Sequence, residues 1–205
     1  MSDLPTTRWQ QAGEGAGTGF GAKFAELVAS GADVDGEARL ADALLPRGAR
    51  VLDVGAGMGR VSAALGARGH TVVAVEPDAG LVEQCRRTYP DVDVLHSDVL
   101  GLDDALLEGR PAEFDLVVVV GNVMVFLAEG TERRVLALLR DRLAEGGRLL
   151  VGFHLVGAPD HARTYPPEEF VADAAASGLR VDARFGSYEL HPAGEDYAVW
   201  LLSAD

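Results

Sequence analysis

The sequence predicts an α/β protein with a doubly wound, mostly parallel seven-stranded sheet and an antiparallel C-terminal strand. Short, continuous apolar runs alternate with helical segments, a pattern typical of parallel strands that are covered on both faces. The last two runs are joined through residues 186–195, which leave no room for a covering helix. These two strands are therefore expected to pair as an antiparallel hairpin, with one antiparallel strand at the edge of the sheet.

Helical segments are expected ahead of the sheet. Residues 1–35 are predicted to form a helical cap or lid, with a glycine-rich stretch at 13–19 and a helix over 20–30. Residues 36–205 are predicted to be a single globular domain that opens with a helix over 36–45. A chain of 205 residues can bury the core that one such domain requires.

The alternation of strands and helices begins at residue 50. Five apolar runs are predicted to be the parallel strands: residues 50–54, 71–75, 92–96, 115–120 and 148–153. The final hairpin is assigned to residues 180–185 and 197–202. Helices are predicted over residues 60–68, 79–88, 102–107, 131–144 and 167–177. In the fourth of these, one stripe is apolar, which is the spacing of a helix packed on a sheet: Val135, Leu138, Leu139 and Leu143.

Charge argues against two classes of partner. The protein carries a formal net charge of −14, so its surface repels phosphate backbones and anionic lipids. Neither a nucleic-acid partner nor a membrane partner is expected. The densest basic stretch is interrupted by acidic residues and is interpreted as a solvated helix face. It comprises Arg133, Arg134, Arg140 and Arg142.

The location expected from the sequence is cytoplasmic. Cys85 is the only cysteine, so no internal disulfide can form and the disulfide-rich secreted class is excluded. The first residues lack an apolar core of signal-peptide length, and the longest apolar run, residues 116–120, is too short to span a bilayer. Both a monomer and a homodimer are compatible with these patterns.

A glycine-rich loop follows the first strand. Gly55, Gly57 and Gly59 stand at alternate positions, which lets the backbone turn sharply and approach a ligand closely. The helix that follows presents its N-terminus to whatever lies there. The alternative is a turn selected for its geometry alone. The dinucleotide pattern G-x-G-x-x-G is not met, because Arg60 stands where the third glycine is required.

Polar residues follow the next three strands. Glu76 comes about 20 residues after the glycine loop, the separation at which an acidic side chain accepts hydrogen bonds from ribose hydroxyls. The alternative is an exposed acid at a strand end. Asp98 follows the third strand and Asn122 the fourth, in an apolar run where its amide needs partners from a ligand or from nearby backbone. Since the carboxyl ends of parallel strands meet at one edge, these side chains are expected to share a site.

The order and spacing of these motifs resemble the class I S-adenosylmethionine-dependent methyltransferases, particularly small bacterial members. The resemblance extends from about residue 36 to the C-terminus, and its most specific part is the sequence VLDVGAGMGR at 51–60. Residues 73–78, 96–99, 114–122 and 143–150 are similar to the motifs that follow in the family. The D/N-P-P-Y/F signature of amino-methylating nucleic-acid enzymes is absent from the sequence, which favours a small-molecule acceptor.

The resemblance implies a Rossmann-like fold, S-adenosylmethionine as cofactor and S-adenosylhomocysteine as product. It implies that Glu76 binds both ribose hydroxyls and that Pro77 lies beside the adenine. Asp98 is implied to accept a hydrogen bond from the adenine amino group, with Val99 supplying the neighbouring backbone amide.

At the methionine end, the resemblance implies contacts from the glycine loop and the fourth strand. The loop residues that cradle the methionine and ribose portion are Gly55, Ala56, Gly57 and Gly59. Gly121 and Asn122 are implied to lie by the methionyl amino group. Asp53 either organises the loop or reaches the amino group through water.

The implied reaction is an in-line displacement at the sulfonium methyl, which needs a base only if the acceptor has a high pKa. His154, at the end of the fifth strand, is the candidate catalytic base. His161 in the following loop and His191 in the hairpin are other candidates, and an ordinary surface role is the alternative for each. No metal site is predicted.

Aromatic residues are expected to cover the site and to shape the acceptor pocket. Trp9 and residues 20–24 are predicted to form a lid that excludes water, although Trp9 and Phe24 could equally belong to the core. Residues 165–170 and Phe126 are expected to line the acceptor pocket.

Two other functions are compatible with a sheet of this kind. A nicotinamide-dependent oxidoreductase predicts the dinucleotide glycine pattern, which Arg60 breaks, and a Tyr-x-x-x-Lys pair. The sole lysine, Lys23, precedes the sheet and has Gly19 four positions before it. A catalytically silent module that binds the nucleoside is the second alternative, and it predicts cofactor binding with a blocked acceptor pocket.

Overall fold

The computed structural model describes residues 4–13, 19, 22, 26, 27 and 29–205. The strands are β1 (Arg50–Val54), β2 (Thr71–Glu76), β3 (Asp93–His96), β4 (Phe114–Val119), β5 (Leu143–His154), β6 (Leu179–Phe185) and β7 (Tyr197–Ala204). The helices are α1 (Arg8–Gln11), α2 (Gly36–Ala43), α3 (Arg60–Ala67), α4 (Ala79–Thr88), α5 (Val123–Phe126), α6 (Glu132–Arg140) and α7 (Pro167–Ala176). Most of the helix predicted over 20–30, including Phe20, Lys23 and Phe24, lies outside the described residues.

All seven strands form one sheet in the order β3-β2-β1-β4-β5-β7-β6. The first five strands are parallel to one another, which confirms the doubly wound architecture. Strand order reverses between β1 and β4, so their carboxyl ends open a crevice at this point. The loops after β1 and β4, which contain Gly55 and Gly121, flank that crevice.

The C-terminal hairpin forms as predicted, but its position differs from the prediction. β7 is the antiparallel strand and pairs with both β5 and β6, so it lies inside the sheet and β6 forms the edge. Burial explains this order. Four of the eight residues of β7 are buried, whereas Leu179 is the one buried residue of β6, which also has a bulge and carries the charged residues Arg180, Asp182 and Arg184, as an edge strand does.

Two helix predictions were wrong in part. No helix forms over 102–107; a 3-10 turn at Val99–Gly101 is followed by further turns. The carboxylates of Asp98 and Asp103 accept hydrogen bonds from the amides of Leu100 and Leu106, and such side-chain bonds favour turns over helix.

The helix predicted over 131–144 ends at Arg140. Leu143, which was assigned to its apolar stripe, instead begins β5 and pairs with Phe114. Gly146 follows with a φ of +73°, a conformation that would interrupt a helix. An apolar residue at this spacing suits either element, and the pairing with β4 decides between them.

The core lies on both faces of the sheet. One face packs Leu52, Val117 and Phe153 against α5, α6 and α7. The other packs Val51, Leu116 and Leu150 against α2 and α3. Since both faces are covered, the carboxyl edge of the strands is where loops and side chains can surround a ligand.

Among the described residues, no helix is both long and apolar enough to cross a membrane.

Candidate functional site

A cavity of about 430 Å³ opens where the strand order reverses. Eight of the residues predicted for the cofactor line it: Gly55, Gly57, Glu76, Pro77, Asp98, Val99, Gly121 and Asn122. Asp53, Ala56, Gly59 and His154 are not among the lining residues. Its volume falls within the range of sites for small molecules, about 300–1,000 Å³.

The glycine loop leaves β1 in a conformation that only glycine adopts without strain. Gly55 has a φ of +69°, and a Cβ added there would collide with the side chain of Val123 in α5. Gly59 has a φ of +85° and precedes the first turn of α3, and a Cβ there would collide with the Cys85 thiol. The loop is therefore pressed between α4 and α5, which fixes the backbone that faces the cavity.

Glu76 ends β2 with its carboxylate buried beneath the cavity. Glu76 is 4% exposed. Its two carboxylate oxygens accept hydrogen bonds from the Gly57 amide at 2.8 Å and from the Asp78 amide at 2.9 Å. Burial raises the pKa of Glu76 to about 7, although both amides oppose the rise. Each carboxylate oxygen keeps a second lone pair, so the group can accept two further hydrogen bonds from a ligand.

Asp53 connects β1 to α3, the helix that follows the glycine loop. Its carboxylate is 2% exposed and accepts a hydrogen bond of 2.6 Å from the Ser62 hydroxyl of α3. Burial raises the pKa of Asp53 to about 6. Of the two roles that the sequence left open, this position favours the organisation of the loop.

The third strand delivers Asp98 to the cavity wall. One of its carboxylate oxygens caps the 3-10 turn by accepting the Leu100 amide at 2.8 Å. Burial raises the pKa of Asp98. Ser97 and Val99 line the cavity beside it.

After β4 the backbone makes two consecutive left-handed residues. Gly121 has a φ of +71° and Asn122 a φ of +80°, which turns the chain into α5. The Asn122 side-chain oxygen accepts the backbone N–H of His154 at 2.9 Å and lies 3.0 Å from His154 Nδ1. Because this oxygen can only accept, Nδ1 must carry a proton.

The His154 ring is consequently held in one orientation. It packs edge-on against Tyr197, with ring centroids 4.8 Å apart, and burial lowers the pKa of His154. At neutral pH the ring therefore carries its proton on Nδ1 and leaves the lone pair of Nε2 available. Among the described residues, Nε2 has no hydrogen-bond partner.

The other two candidate histidines occupy different surroundings. His161 lines the cavity from the loop after β5 and has a φ of +68°. His191 is exposed in the hairpin and lies 2.9 Å from the Ser187 hydroxyl. Neither ring is oriented by a buried partner among the residues that the structure describes.

A pair of tyrosines behind Gly121 was not foreseen from the sequence. The hydroxyls of Tyr188 and Tyr197 lie 2.8 Å apart, and both face the Gly121 amide. They occupy the space above Gly152, where an added Cβ would collide with the Tyr188 hydroxyl. A glycine in the apolar fifth strand, Val-Gly-Phe, was the only signal of this close approach.

The N-terminal segment covers the cavity through Trp9. Its indole N–H donates to an Asp78 carboxylate oxygen at 3.0 Å, and its ring packs edge-on against Phe126 at 5.3 Å between centroids. Thr7, Trp9, Ala12 and Phe126 line the cavity. Of the lid predicted from the sequence, Trp9 is described and residues 20, 21, 23 and 24 lie outside the described residues.

Comparison with known proteins places these features in a family. A family model described as a methyltransferase domain matches residues 51–147. A TehB-like S-adenosylmethionine-dependent methyltransferase from Corynebacterium glutamicum is 30% identical and superposes with a TM-score of 0.83, covering 94% of this chain and 100% of that chain.

Two further similar proteins are methyltransferases named for different acceptors. The glycopeptide N-methyltransferase MtfA, in complex with S-adenosyl-L-methionine, is 17% identical with a TM-score of 0.65, over 83% of this chain and 95% of that chain. The small-subunit ribosomal RNA methyltransferase C of Chromohalobacter salexigens is 34% identical over 114 residues. That alignment covers 52% of this chain and 32% of the ribosomal RNA enzyme.

The sheet order defines a Rossmann-like fold. The 30% sequence identity with the Corynebacterium protein extends over the whole length of that protein. It narrows the assignment from a fold to a family. The chain belongs to the class I S-adenosylmethionine-dependent methyltransferases. S-adenosylmethionine is the cofactor of this family, and family membership disfavours the nicotinamide-dependent alternative.

Proposed function

We propose that the protein transfers a methyl group from S-adenosylmethionine to a small-molecule acceptor. The observation that carries this proposal is the Glu76 carboxylate, which is buried at the cavity floor and bound by two backbone amides. A ribose diol offers two adjacent hydroxyl donors, which match the lone pairs that the carboxylate oxygens retain. The site residues therefore fit the nucleoside part of the cofactor.

The remaining cofactor contacts are proposed from residues that line the same cavity. Asp98 and the Val99 amide would hold the adenine, with Pro77 against its face. Gly55, Gly57 and Gly121 would approach the methionine portion, where side chains would obstruct it. Asn122 commits its side-chain oxygen to His154, so its amide nitrogen is the part left for a ligand.

When bound, the cofactor supplies an activated methyl group on a sulfonium. The task of the chain is then to align the acceptor and to exclude water. Trp9 and Phe126 would cover the cavity, while His154 would accept the acceptor's proton at Nε2. His161 lines the cavity and His154 lies behind Asn122, but His154 is favoured because Asn122 fixes both its orientation and its protonated nitrogen.

A small-molecule acceptor is favoured over nucleic acid by charge. The net charge is −14, and two of the three arginines in α6 form ion pairs. Arg133 bonds to Asp173, Arg140 to Asp141, and Arg142, just after the helix, to Asp104. Paired guanidinium groups do not form the basic surface that a phosphate backbone needs. Cytoplasmic location stays a prediction.

The test is calorimetry with S-adenosylmethionine and S-adenosylhomocysteine, followed by a methyl-transfer screen on neutral and cationic small molecules. Micromolar binding of both nucleosides with turnover of a small acceptor would support the proposal. Binding with no transfer to any acceptor class would favour a silent nucleoside-binding module. Transfer to ribosomal RNA alone would overturn the small-molecule assignment, and failure to bind either nucleoside would overturn the whole proposal.

Affinity for S-adenosylhomocysteine is expected to rise with pH. Burial raises the pKa of Glu76 from 4.5 to about 7, so below that value the ligand-free site is largely protonated, and only the carboxylate accepts both hydroxyls. Between about pH 6 and pH 8 the affinity should increase by up to about tenfold, with release of a proton. The ligand-free protein should behave oppositely: the stability linked to Glu76 is complete below 4.5 and is lost as pH rises through about 7.

Calorimetry across this pH range provides the measurement, and Glu76→Gln is the matched control. The substitution keeps the size of the side chain and removes its titration, while Asp53 still titrates in both proteins. A pH dependence that persists in Glu76→Gln would show that another group is responsible.

The protonated nitrogen of His154 can be read by ¹⁵N NMR without any acceptor. The neutral ring is expected to carry its proton on Nδ1 in the wild type, because Asn122 Oδ1 can only accept. In Asn122→Ala this constraint is removed, and a shift towards the other tautomer is expected. The protein has five histidines, so His154→Gln serves to assign the signal. A wild-type ring protonated on Nε2 at neutral pH would contradict the proposed base.

A further inference from the structure

Two segments that are distant in the sequence form the outer wall of the cavity. The first cover segment, residues 7–12, contributes Thr7, Trp9 and Ala12. The second cover segment, residues 159–163, contributes Pro159, Asp160 and His161. Each segment contains an arginine that reaches the same carboxylate, Arg8 in the first and Arg163 in the second.

That carboxylate belongs to Glu132, the first residue of α6. Its side chain is 5% exposed, and Oε1 lies 2.7 Å from Arg163 Nη1 and 3.5 Å from Arg8 Nη1. Glu132 itself is not among the residues that line the cavity. It therefore acts on the cavity only through the two arginines.

Each arginine is also tied to its own surroundings. Arg8 donates to the Leu127 carbonyl at 2.7 Å, beside the cavity wall. Arg163 donates to Glu169 at 2.5 Å, and its guanidinium lies 4.3 Å above the Tyr165 ring centre. Each guanidinium thus arrives at Glu132 already oriented, so little side-chain freedom is lost in the pairing.

The first cover segment behaves as one unit from Thr7 to Ala12. Thr7 and Gln10 form a reciprocal capping box, and the Ala12 amide closes the turn onto Arg8 and Trp9 carbonyls. Trp9 in turn contacts Asp78 and Phe126. A displacement of Arg8 is therefore expected to displace Trp9 too, whose indole covers the cavity.

A buried carboxylate needs a nearby positive charge to offset the loss of its hydration. For Glu132 this charge comes from Arg8 in the first cover segment and Arg163 in the second. If one arginine leaves, the other becomes the sole cation beside a buried anion, so the cost of losing either pairing depends on whether the other pairing is present. We infer that Glu132 is a positioning residue whose single buried charge anchors both cover segments over the cofactor and acceptor. This inference rests on the proposed function for its consequences in binding, but its structural part can be tested without ligand.

The ligand-free test is amide hydrogen exchange in Glu132→Gln, which keeps the side-chain shape and removes the charge. The reporters are the amides of Gln11 and Ala12, bonded within the first segment, and of Ala162 and Arg163, bonded to Pro159 and Val125 carbonyls. Exchange is expected to accelerate about tenfold in both segments together, because coupled contacts are lost. Acceleration in one segment only, or in neither, would overturn the inference.

Arg140→Met is the matched control. It ends the same helix, and its bonds to Asp141 and to the Ser177 carbonyl involve neither cover segment. Exchange in both segments is expected to stay as in the wild type. Equal acceleration in this variant would mean that α6 is loosened generally, and the assignment to Glu132 would fail.

A double-mutant cycle tests the functional consequence. Arg8→Met, Arg163→Met and the double variant are compared for S-adenosylhomocysteine affinity by calorimetry. Each single variant is expected to lose about tenfold, because one segment loses its contact with Glu132. The double variant is expected to lose more than the two single losses combined, since the second change leaves the buried carboxylate without a cation. In the Glu132→Gln background the two changes should add. Additive losses in the wild-type background would overturn the coupling.

The proposed function and this inference fail in distinguishable ways. If the parent protein does not bind S-adenosylhomocysteine, the proposed function fails while hydrogen exchange still reports on the coupling. If the parent binds it and the cycle is additive, the inference alone fails. Thermal melting of every variant separates a loss of affinity from a loss of fold.

Discussion

Replacement of Glu76 by alanine is expected to weaken S-adenosylmethionine binding by about 100-fold or more. Two hydrogen bonds from ribose hydroxyls to a charged, buried acceptor are lost, each worth about 1.5–3 kcal/mol. The Gly57 amide also loses its partner at 2.8 Å, so the glycine loop loses an anchor at the point where it faces the cavity. Calorimetry with S-adenosylmethionine and S-adenosylhomocysteine measures the change.

The control for this substitution is Glu83→Ala. Glu83 lies on the neighbouring helix α4 and forms an exposed ion pair with Arg87, so its removal changes the net charge equally without touching the cavity. Affinity in Glu83→Ala should remain within about twofold of the wild type, as expected for an exposed pair. If Glu76→Ala bound the cofactor as tightly as this control, Glu76 could not be the ribose ligand.

Replacement of Gly55 by alanine is expected to destabilise the fold by about 2–5 kcal/mol and to impair cofactor binding. A left-handed backbone costs a non-glycine residue about 1–2 kcal/mol. The collision of the new Cβ with Val123 adds about 1–3 kcal/mol, the usual effect of overpacking. Because Val123 lines the cavity, its displacement also alters the cofactor surface. Denaturant unfolding and calorimetry measure the two effects.

Gly48→Ala isolates the collision from the backbone strain. Gly48 has a φ of +68°, close to the +69° of Gly55, but a Cβ added at Gly48 meets nothing within 4 Å. This variant should lose only the cost of the backbone conformation and should bind the cofactor normally. Equal destabilisation in the two variants would show that Val123 yields without cost.

The parallel strands and the cofactor motif could be predicted from sequence because their signals are local. β1, β2 and β4 are continuous apolar runs, which only a sheet covered on both faces can bury. Gly55, Gly57 and Gly59 all have positive φ angles, a backbone conformation that glycine adopts without the strain that other residue types incur. Glu76 follows from its place at the end of β2, since parallel strands bring their carboxyl ends together.

Element boundaries and strand order depended on non-local pairing. Leu143 suits a helical stripe and a strand equally well, and its contact with Phe114 places it in β5. The hairpin was foreseen, but the insertion of β7 between β5 and β6 follows from a comparison of the burial of two strands. The sequence of one strand does not show how deeply that strand is buried relative to another.

The sequence by itself determined the sheet, the glycine loop and the acidic residue after β2, because each is specified by residues that are neighbours in the chain. The tertiary structure alone decided which polar groups meet. Asn122 and His154 are 32 positions apart, and Arg8 and Glu132 are 124 positions apart. Side-chain hydrogen bonds act over about 3 Å, so such partners are defined only after the strands and helices that carry them have packed.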